Sequence, residues 1–502
     1  MKRMDFMTSR LALVTGATGY VGGQVAAELV ERGWRVRVLS RSEKKVRALP
    51  WGEHVEVVEG DASEASDVAR AMEDVDVAWY LLHSMSTSDD FVSEEKEMAS
   101  TFADAARDAG VSRIVYLGGL HPDDEDVEQL SDHLRSRVEV GHVLIDSGVP
   151  TAALQAGVVI GDESSSFIML RNLSERLPGA IAPKWIKNRI QPIAVADAVH
   201  YLVGAADLPA DVSRTFDIGG PEPMPYGDMM KRYAKATKRW LPRIVGTAPV
   251  TTAGLAGHWI GLVTPVSSSL AAPLIGSLQH DTVVHERDLD DLVGAPPGGH
   301  TTFEDAVRAA VKDLDTSRWV RTLGLTSAAV AATAVAGSLL TDPKSAWYRT
   351  LRKPAIQPPP AAFPIVWSAL YTDLALISSL TIADLAETGR TKEQRAYIAA
   401  LAANLALNVG WNGTFFAAKK LRPAVLEAAV LAASSADLVR RAHKASPEKG
   451  VVLAPYAAWT GSPPSSAPSS PVATRDADGD IAPLTSPRLR RRARRGTRRR
   501  TT

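Results

Sequence analysis

The chain has 502 residues, more than one hydrophobic core usually supports, so two or three domains are expected. Lysine plus arginine equal aspartate plus glutamate at 57 each, so global charge points to no partner, and specific nucleic-acid binding is not expected. Cysteine is absent, which excludes disulfides, thiolate nucleophiles, iron–sulfur clusters and cysteine zinc sites; no metal site is expected.

Short apolar runs at 11–14, 35–39, 55–58, 77–82, 113–117 and 151–156 read as strands. They are rich in Val, Ile, Leu and Tyr and bounded by Gly, Asp or Ser. Between them, 24–32, 65–72, 93–109 and 131–147 read as helices. This alternation predicts βαβ units, and right-handed crossovers then give an α/β fold with a doubly wound parallel Rossmann sheet. Residues 161–316 are less regular and are expected to form a smaller substrate lobe of the same 9–316 domain. In that lobe Thr215-Phe216-Asp217-Ile218-Gly219-Gly220 reads as a strand running into a glycine turn. The stretch 247–278 is apolar, but Pro249, Pro265 and Pro273 argue against a spanning helix. A buried helix pair acting as a lid is expected there, with a membrane-resting surface as the alternative.

The mean hydropathy of −0.05 averages a polar front half with a very apolar stretch after Trp319. The runs 323–340, 363–383 and 396–418 are long enough to cross, or nearly cross, a hydrocarbon core of roughly 30 Å. The fourth, 425–439, suffices only if it begins near Leu421. Small residues dominate all four, which suits close packing in lipid. An all-α transmembrane bundle over 317–459 is therefore expected, with a soluble helical bundle as the alternative. Residues 460–502 hold Gly, Ser, Pro and Ala, then nine arginines between Arg488 and Arg500. Such a tail cannot build a core and is expected to be disordered. Its composition is that of a shifted GC-rich reading frame, so a frameshift or degenerate terminus is expected rather than a binding role.

The chemistry begins at Val14-Thr15-Gly16-Ala17-Thr18-Gly19-Tyr20-Val21-Gly22-Gly23. It follows a strand and opens a helix. Gly16 allows the tight turn, Gly19 lets a pyrophosphate approach the backbone, and Gly22 lets helix pack on strand. Free N–H groups at the helix start then face the phosphates. Thr15 to Gly22 are thus the expected cofactor cradle. The second strand ends Val38-Leu39-Ser40-Arg41, without the acid that usually binds the ribose of NAD(H). Ser40 and Arg41 suit a 2′-phosphate, so NADP(H) is favoured over NAD(H); the alternative is a solvated Arg41. Asp61 and Ala62, after the third strand, are placed to meet the adenine.

These residues resemble the atypical extended short-chain dehydrogenases/reductases, in particular the NmrA-like, NAD(P)H-binding members. The resemblance also rests on Trp79-Tyr80-Leu81-Leu82-His83-Ser84-Met85, Val115-Tyr116-Leu117-Gly118-Gly119-Leu120, Leu134-Arg135-Ser136-Arg137-Val138-Glu139-Val140-Gly141 and Gly148-Val149-Pro150. It implies that Leu82, His83 and Ser84 lie along the ribose and nicotinamide. The family's Tyr-x-x-x-Lys appears here as His133-Leu134-Arg135-Ser136-Arg137, and its usual Ser as Gly118 or Gly119. His133 is the candidate acid and Arg137 the candidate ribose holder, although Arg does not replace Lys freely. The alternative makes both residues structural.

Past the first apolar run come Trp347-Tyr348-Arg349-Thr350-Leu351-Arg352-Lys353-Pro354, Pro358-Pro359-Pro360 and Phe363-Pro364-Ile365-Val366-Trp367-Ser368-Ala369-Leu370-Tyr371. Later come Asn404 to Phe416 and Ala454-Pro455-Tyr456-Ala457-Ala458-Trp459. This series resembles the TspO/MBR family, the tryptophan-rich sensory or translocator proteins. An aromatic cavity suits a flat amphipathic ligand. The resemblance implies a porphyrin, haem or other hydrophobic small molecule as ligand, with Trp347, Trp367, Asn408 and Trp411 as pocket candidates; the alternative is interfacial anchoring. It further implies a homodimer and five spans, of which the fifth is truncated here, running about ten residues from Gly450 to Trp459.

The expected protein is therefore a multi-pass cell-membrane protein whose N-terminal domain is cytoplasmic, where NADPH is. Basic flanks lean the same way, nine residues against seven. Its expected function is that of an NADPH-dependent oxidoreductase fused to a porphyrin-binding module. The alternative is a non-catalytic NADPH/tetrapyrrole redox sensor or transport regulator.

Overall fold

The computed structural model describes residues 9–82, 91–122, 126–177, 179–182, 184–239, 244–247, 253–351 and 358–462. Seven strands form the main sheet: β1 (Leu11–Thr15), β2 (Arg35–Ser40), β3 (Glu56–Glu59), β4 (Val77–Tyr80), β5 (Arg113–Gly119), β6 (Thr151–Ala156) and β7 (Arg214–Ile218). Their spatial order is β7-β6-β5-β4-β1-β2-β3, and every pairing is parallel. β1 and β4 are buried along their whole length, which is why they read as continuous apolar runs rather than as alternation. The order reverses between β1 and β4, and a crevice opens at such a point beyond the strands' carboxyl ends.

The helices α1 (Tyr20–Glu31), α2 (Ala65–Met72), α3 (Phe91–Asp108) and α4 (Asp132–Ile145) cover the two faces of the sheet. One face buries Val25 and Leu29 of α1 against Val14 and Val38. The other buries Phe102 of α3 and Leu144 of α4 against Tyr80 and Tyr116. β7 departs from the expected arrangement. It pairs with β6 from Arg214↔Ala152 to Ile218↔Ala156, so this segment completes the main sheet instead of belonging to a separate lobe. Buried Arg113 secures that edge by donating to the carbonyls of Leu208, Pro209 and Val212.

The smaller lobe packs α5 (Ser165–Arg176) and α7 (Tyr226–Ala236) against the helix pair α8 (Ala253–Val263) and α9 (Ser268–Ser277); α6 (Val195–Gly204) returns the chain to β7. Phe167 and Leu170 meet Met229 and Tyr233 in its core, with Ile260 and Ile275. The apolar stretch at 247–278 thus contains a helix pair packed within this core. Among the described residues, five long helices follow α10 (Phe303–Ala310): α11 (Arg318–Leu340), α12 (Ala362–Glu387), α13 (Thr391–Asn412), α14 (Leu421–Ala445) and α15 (Pro447–Gly461).

Among the described residues, two helices, α11 and α12, are long and apolar enough to cross a membrane. α13 starts with Lys392, Glu393 and Arg395, and α14 carries Glu427 and Asp437. α15 begins at Pro447, three residues before the expected start, because Pro at the first helical turn is pre-set for a helix. Its 15 residues span about 22 Å, still short of a roughly 30 Å core. The arginine-rich tail lies outside the described residues.

Phe216 on β7 is fully buried and stacked under Arg214, whose guanidinium lies 4.0 Å from the ring centroid. Phe216→Ala is expected to cost about 3–5 kcal/mol, read as a lower urea midpoint of the full chain in detergent.

Candidate functional site

The glycine loop leaves β1 at Thr15, whose hydroxyl donates to the Trp79 carbonyl at 2.9 Å and ties β1 to β4. Gly16 has φ +72° and a Cβ there would lie 2.3 Å from the Leu81 carbonyl. Gly22 is equally constrained: its Cβ would lie 2.3 Å from the Gly16 carbonyl. Both positions therefore require glycine. Ala17 is buried, Thr18 and Gly19 are exposed, and Val21 is half-buried. Gly19 caps α1 with extended backbone and no side-chain hydrogen bond. The first N–H groups of α1, from Tyr20 to Gly22, are left for a ligand, and the helix dipole favours an anion there.

Ser40 ends β2, and Arg41 follows it. Arg41 is exposed, and the Ser40 carbonyl accepts from the Gly60 N–H at 3.1 Å. Asp61 and half-buried Ala62 thus share one rim with Ser40. The Asp61 carboxylate accepts from the N–H and hydroxyl of Ser63. Those bonds, the backbone one first, and nearby Arg41 hold it below the usual carboxylate range. Leu82 is half-buried at the crevice; His83 and Ser84 lie outside the described residues.

His133 sits in the first turn of α4, after the N-cap Ser131. Arg137, one turn on, donates to the Leu117 carbonyl at 3.0 Å, and the Tyr116 hydroxyl donates to the Arg137 carbonyl at 3.1 Å. Arg137 thereby anchors the carboxyl end of β5. A narrow cleft beside it is lined by Tyr80, Leu82, Met98 and Tyr116. Burial pushes both phenols above their ordinary range, so neither is a ready base. Two polar residues at the carboxyl ends of β5 and β6 escaped the sequence reading. His121 Nε2 lies 3.3 Å from the Gln155 amide nitrogen, and its Nδ1 lies 3.1 Å from the Pro122 carbonyl. One tautomer, with Nδ1–H donating and Nε2 accepting, satisfies both contacts. Their signal was position, at the carboxyl ends of strands beside the crevice.

In the bundle, Trp347 and Trp411 converge on Phe415. Trp411 stacks on it with centroids 5.1 Å apart, and Trp347 meets it edge-on at 5.3 Å. Trp367 lies against Tyr371 at 5.1 Å, and Tyr371 donates to Asn408 Oδ1 at 2.8 Å. From there a buried chain continues: Asn408 to the Tyr456 hydroxyl, Tyr456 to Asn404 Oδ1 at 2.7 Å, and Asn404 to the Ser435 hydroxyl. Three of the four candidates are therefore joined to aromatic partners, and Asn408 joins Trp367, through Tyr371, to a polar spine. Tyr371, Asn404, Phe415 and Tyr456 were not singled out from sequence, although Asn404 and Asn408 share one helix face at i, i+4.

Two substitutions test this geometry. Gly22→Val is expected to weaken dinucleotide binding roughly 10- to 100-fold, as about 1–3 kcal/mol of overpacking acts against the loop; equilibrium titration reads it. Asn408→Ala leaves the half-buried Tyr371 hydroxyl without its acceptor and takes a donor from Tyr456, and is expected to cost about 1–3 kcal/mol, read as a lower thermal midpoint in detergent.

Residues 16–171 match the model of an NAD(P)H-binding family, and residues 325–462 match that of the TspO/MBR family. A (4-alkanoyl-5-oxo-2,5-dihydrofuran-3-yl)methyl phosphate reductase of Streptomyces griseus is 33% identical over 212 residues, 42% of this chain and 68% of the relative. The tryptophan-rich sensory protein of Cereibacter sphaeroides is 31% identical over 132 residues, 26% of this chain and 78% of the relative. Among solved structures, the Citrobacter triphenylmethane reductase complexed with NADP(H) covers 60% of this chain and 99% of its own, at 18% identity and a TM-score of 0.47. The chain belongs to the NAD(P)H-binding, NmrA-like reductases through its N-terminal part and to the TspO/MBR family through its C-terminal part.

Proposed function

We propose that this protein is a membrane-anchored, NADPH-dependent reductase whose dinucleotide-binding part, residues 9–316, is joined to a bundle, residues 317–459, that binds a flat hydrophobic ligand such as a porphyrin. One observation carries the reading: the start of α1 has no side-chain cap and faces a turn where only glycine fits. Ser40 and Arg41 stand where an acid would favour NAD(H), so the 2′-phosphate of NADPH is the expected discriminator. When bound, NADPH would supply a hydride. The chain's own residues would hold its phosphates on the N–H groups of Tyr20 to Gly22. The second N–H of the Gln155 amide, which is held by His121 Nε2 near the carboxyl ends of β5 and β6, would donate to a substrate carbonyl. The Streptomyces relative is named as the reductase of an alkanoyl-oxo-dihydrofuran, so conjugated carbonyl compounds head the substrate classes.

Membrane insertion is supported by where apolar surface lies. Among the described residues, every exposed large hydrophobic except Trp259 and Leu292 is on a bundle helix, including Leu325, Leu339, Ile365 and Leu426. In water such a belt is a liability; against lipid it is the expected exterior. We place the dinucleotide-binding part in the cytoplasm, where its cofactor is.

A second reading, an NADPH and tetrapyrrole sensor without turnover, is favoured by one feature. The helix that carries Tyr-x-x-x-Lys in working short-chain dehydrogenases presents His133 and Arg137, and Arg137 is committed to the Leu117 carbonyl.

Arg41→Ala is expected to raise the Kd for NADPH roughly 10- to 100-fold, as a charge-assisted bond worth about 1.5–3 kcal/mol is lost, while NADH affinity stays unchanged. Equal losses for both nucleotides would reject the 2′-phosphate assignment. NADPH oxidation with a panel of enones, quinones and aldehydes separates the readings: binding without oxidation of any of them selects the sensor. Quenching of tryptophan fluorescence by protoporphyrin IX in detergent tests the bundle.

A further inference from the structure

The helix α5 touches both halves of the molecule, and its two ends are held by different chemistry. The turn leading into it, residues 161–164, abuts the glycine loop. Tyr20, the first residue of α1, donates its hydroxyl to Asp162 Oδ1 at 2.7 Å. Gly161 is pressed so closely there that a Cβ would lie 2.1 Å from the Tyr20 hydroxyl. Burial and the neighbouring Asp162 push the Tyr20 phenol above its ordinary range, so it stays a donor.

The other end is embedded in charge. Arg171, Asn172, Glu175 and Arg176, in the last turns of α5, are all buried. Arg171 forms an ion pair with Glu387 of α12, and Asn172 donates to the same carboxylate at 3.0 Å. Arg176 lies 2.6 Å from Asp384 of α12. Lys449 of α15, itself 1% exposed, donates to the other oxygen of Asp384 at 2.6 Å. Trp319 of α11 faces the Arg176 guanidinium, 5.4 Å from its ring centroid. Asp384 and Glu387 stand at the carboxyl end of α12, where the helix dipole repels anions, so they require these cations.

Apolar surfaces can slide over one another at small cost. A cluster of desolvated charges cannot, because each shift strands an ion away from its partner. Residues 165–176 span about 18 Å as a helix, from the glycine loop to the base of the bundle. We propose that α5 is a connecting rod through which dinucleotide occupancy at the glycine loop sets the position of α12 and α15 in the bundle. The inference rests on the proposed dinucleotide site. A pyrophosphate on the N–H groups of Tyr20 to Gly22 repositions Tyr20, and Tyr20 holds the turn leading into α5 through Asp162. The charged end carries that displacement into α12, the helix that also bears Trp367 and Tyr371. Because such linkage is reciprocal, a ligand in the bundle would alter dinucleotide affinity by the same factor.

The test uses the full chain in phospholipid nanodiscs. NADPH binding is first measured from its own fluorescence, and backbone hydrogen exchange is then followed with and without saturating NADPH. Exchange at 380–387 and 447–453 is expected to change about fivefold or more on binding. Asp162→Ala, at an exposed position, is expected to keep NADPH binding and reduce that change to less than twofold. Glu387→Gln is expected to do the same from the other end, and should it misfold, Asp162→Ala still decides. NADPH binding with unaltered exchange in the bundle overturns the rod but leaves the proposed site standing. A full response in Asp162→Ala likewise overturns it. No NADPH binding at all removes the proposed site, and the rod with it.

Discussion

The contact between Gly22 and the Gly16 carbonyl governs the geometry of the nucleotide half. Any Cβ at Gly22 would lie 2.3 Å from that oxygen, so α1 can reach β1 only through two residues without side chains. That approach lets Val25 and Leu29 enter the core under Val14 and Val38. It also aims the uncapped start of α1 into the crevice between β1 and β4. The N–H groups at that start are unpaired because the cap, Gly19, has no side chain to bond them.

The second constraint is the joint between the lobe and the bundle. Buried ion clusters are poor sources of net stability, since desolvation offsets most of the attraction. They are demanding about geometry, however, and here three bundle helices and α5 share one cluster. Burial pushes the Arg171 guanidinium down from its ordinary value, and the Glu175 carboxylate works against that burial. An apolar joint of the same area would hold the halves together but would not define one angle between them.

Inside the bundle the polar spine solves a similar problem by neutral means. Tyr371, Asn408, Tyr456, Asn404 and Ser435 pass hydrogen bonds from one to the next, and Ser435 ends the chain on the Leu431 carbonyl. In an apolar surrounding an unpaired amide or phenol is costly, so such a chain is stable only when complete. It crosses α12, α13, α14 and α15, and so fixes their register as well as their association.

Much of this was legible in the sequence because it depends on local rules. Ala65–Met72 and Thr151–Ala156 occupy the spans their patterns predicted, and the glycine loop declared its turn, since turn and helix start are dictated by neighbours along the chain. The two families were legible through clustered motifs. What tertiary structure alone decided concerns partners distant in sequence. β7 joined the main sheet because its apolar residues met β6 more than 50 positions earlier. Arg137 turned to the Leu117 carbonyl, His121 met Gln155, and Arg171 and Arg176 found Asp384 and Glu387 some 200 residues away. Periodicity reports which face of an element is buried, but only folding decides which buried charge or amide meets which.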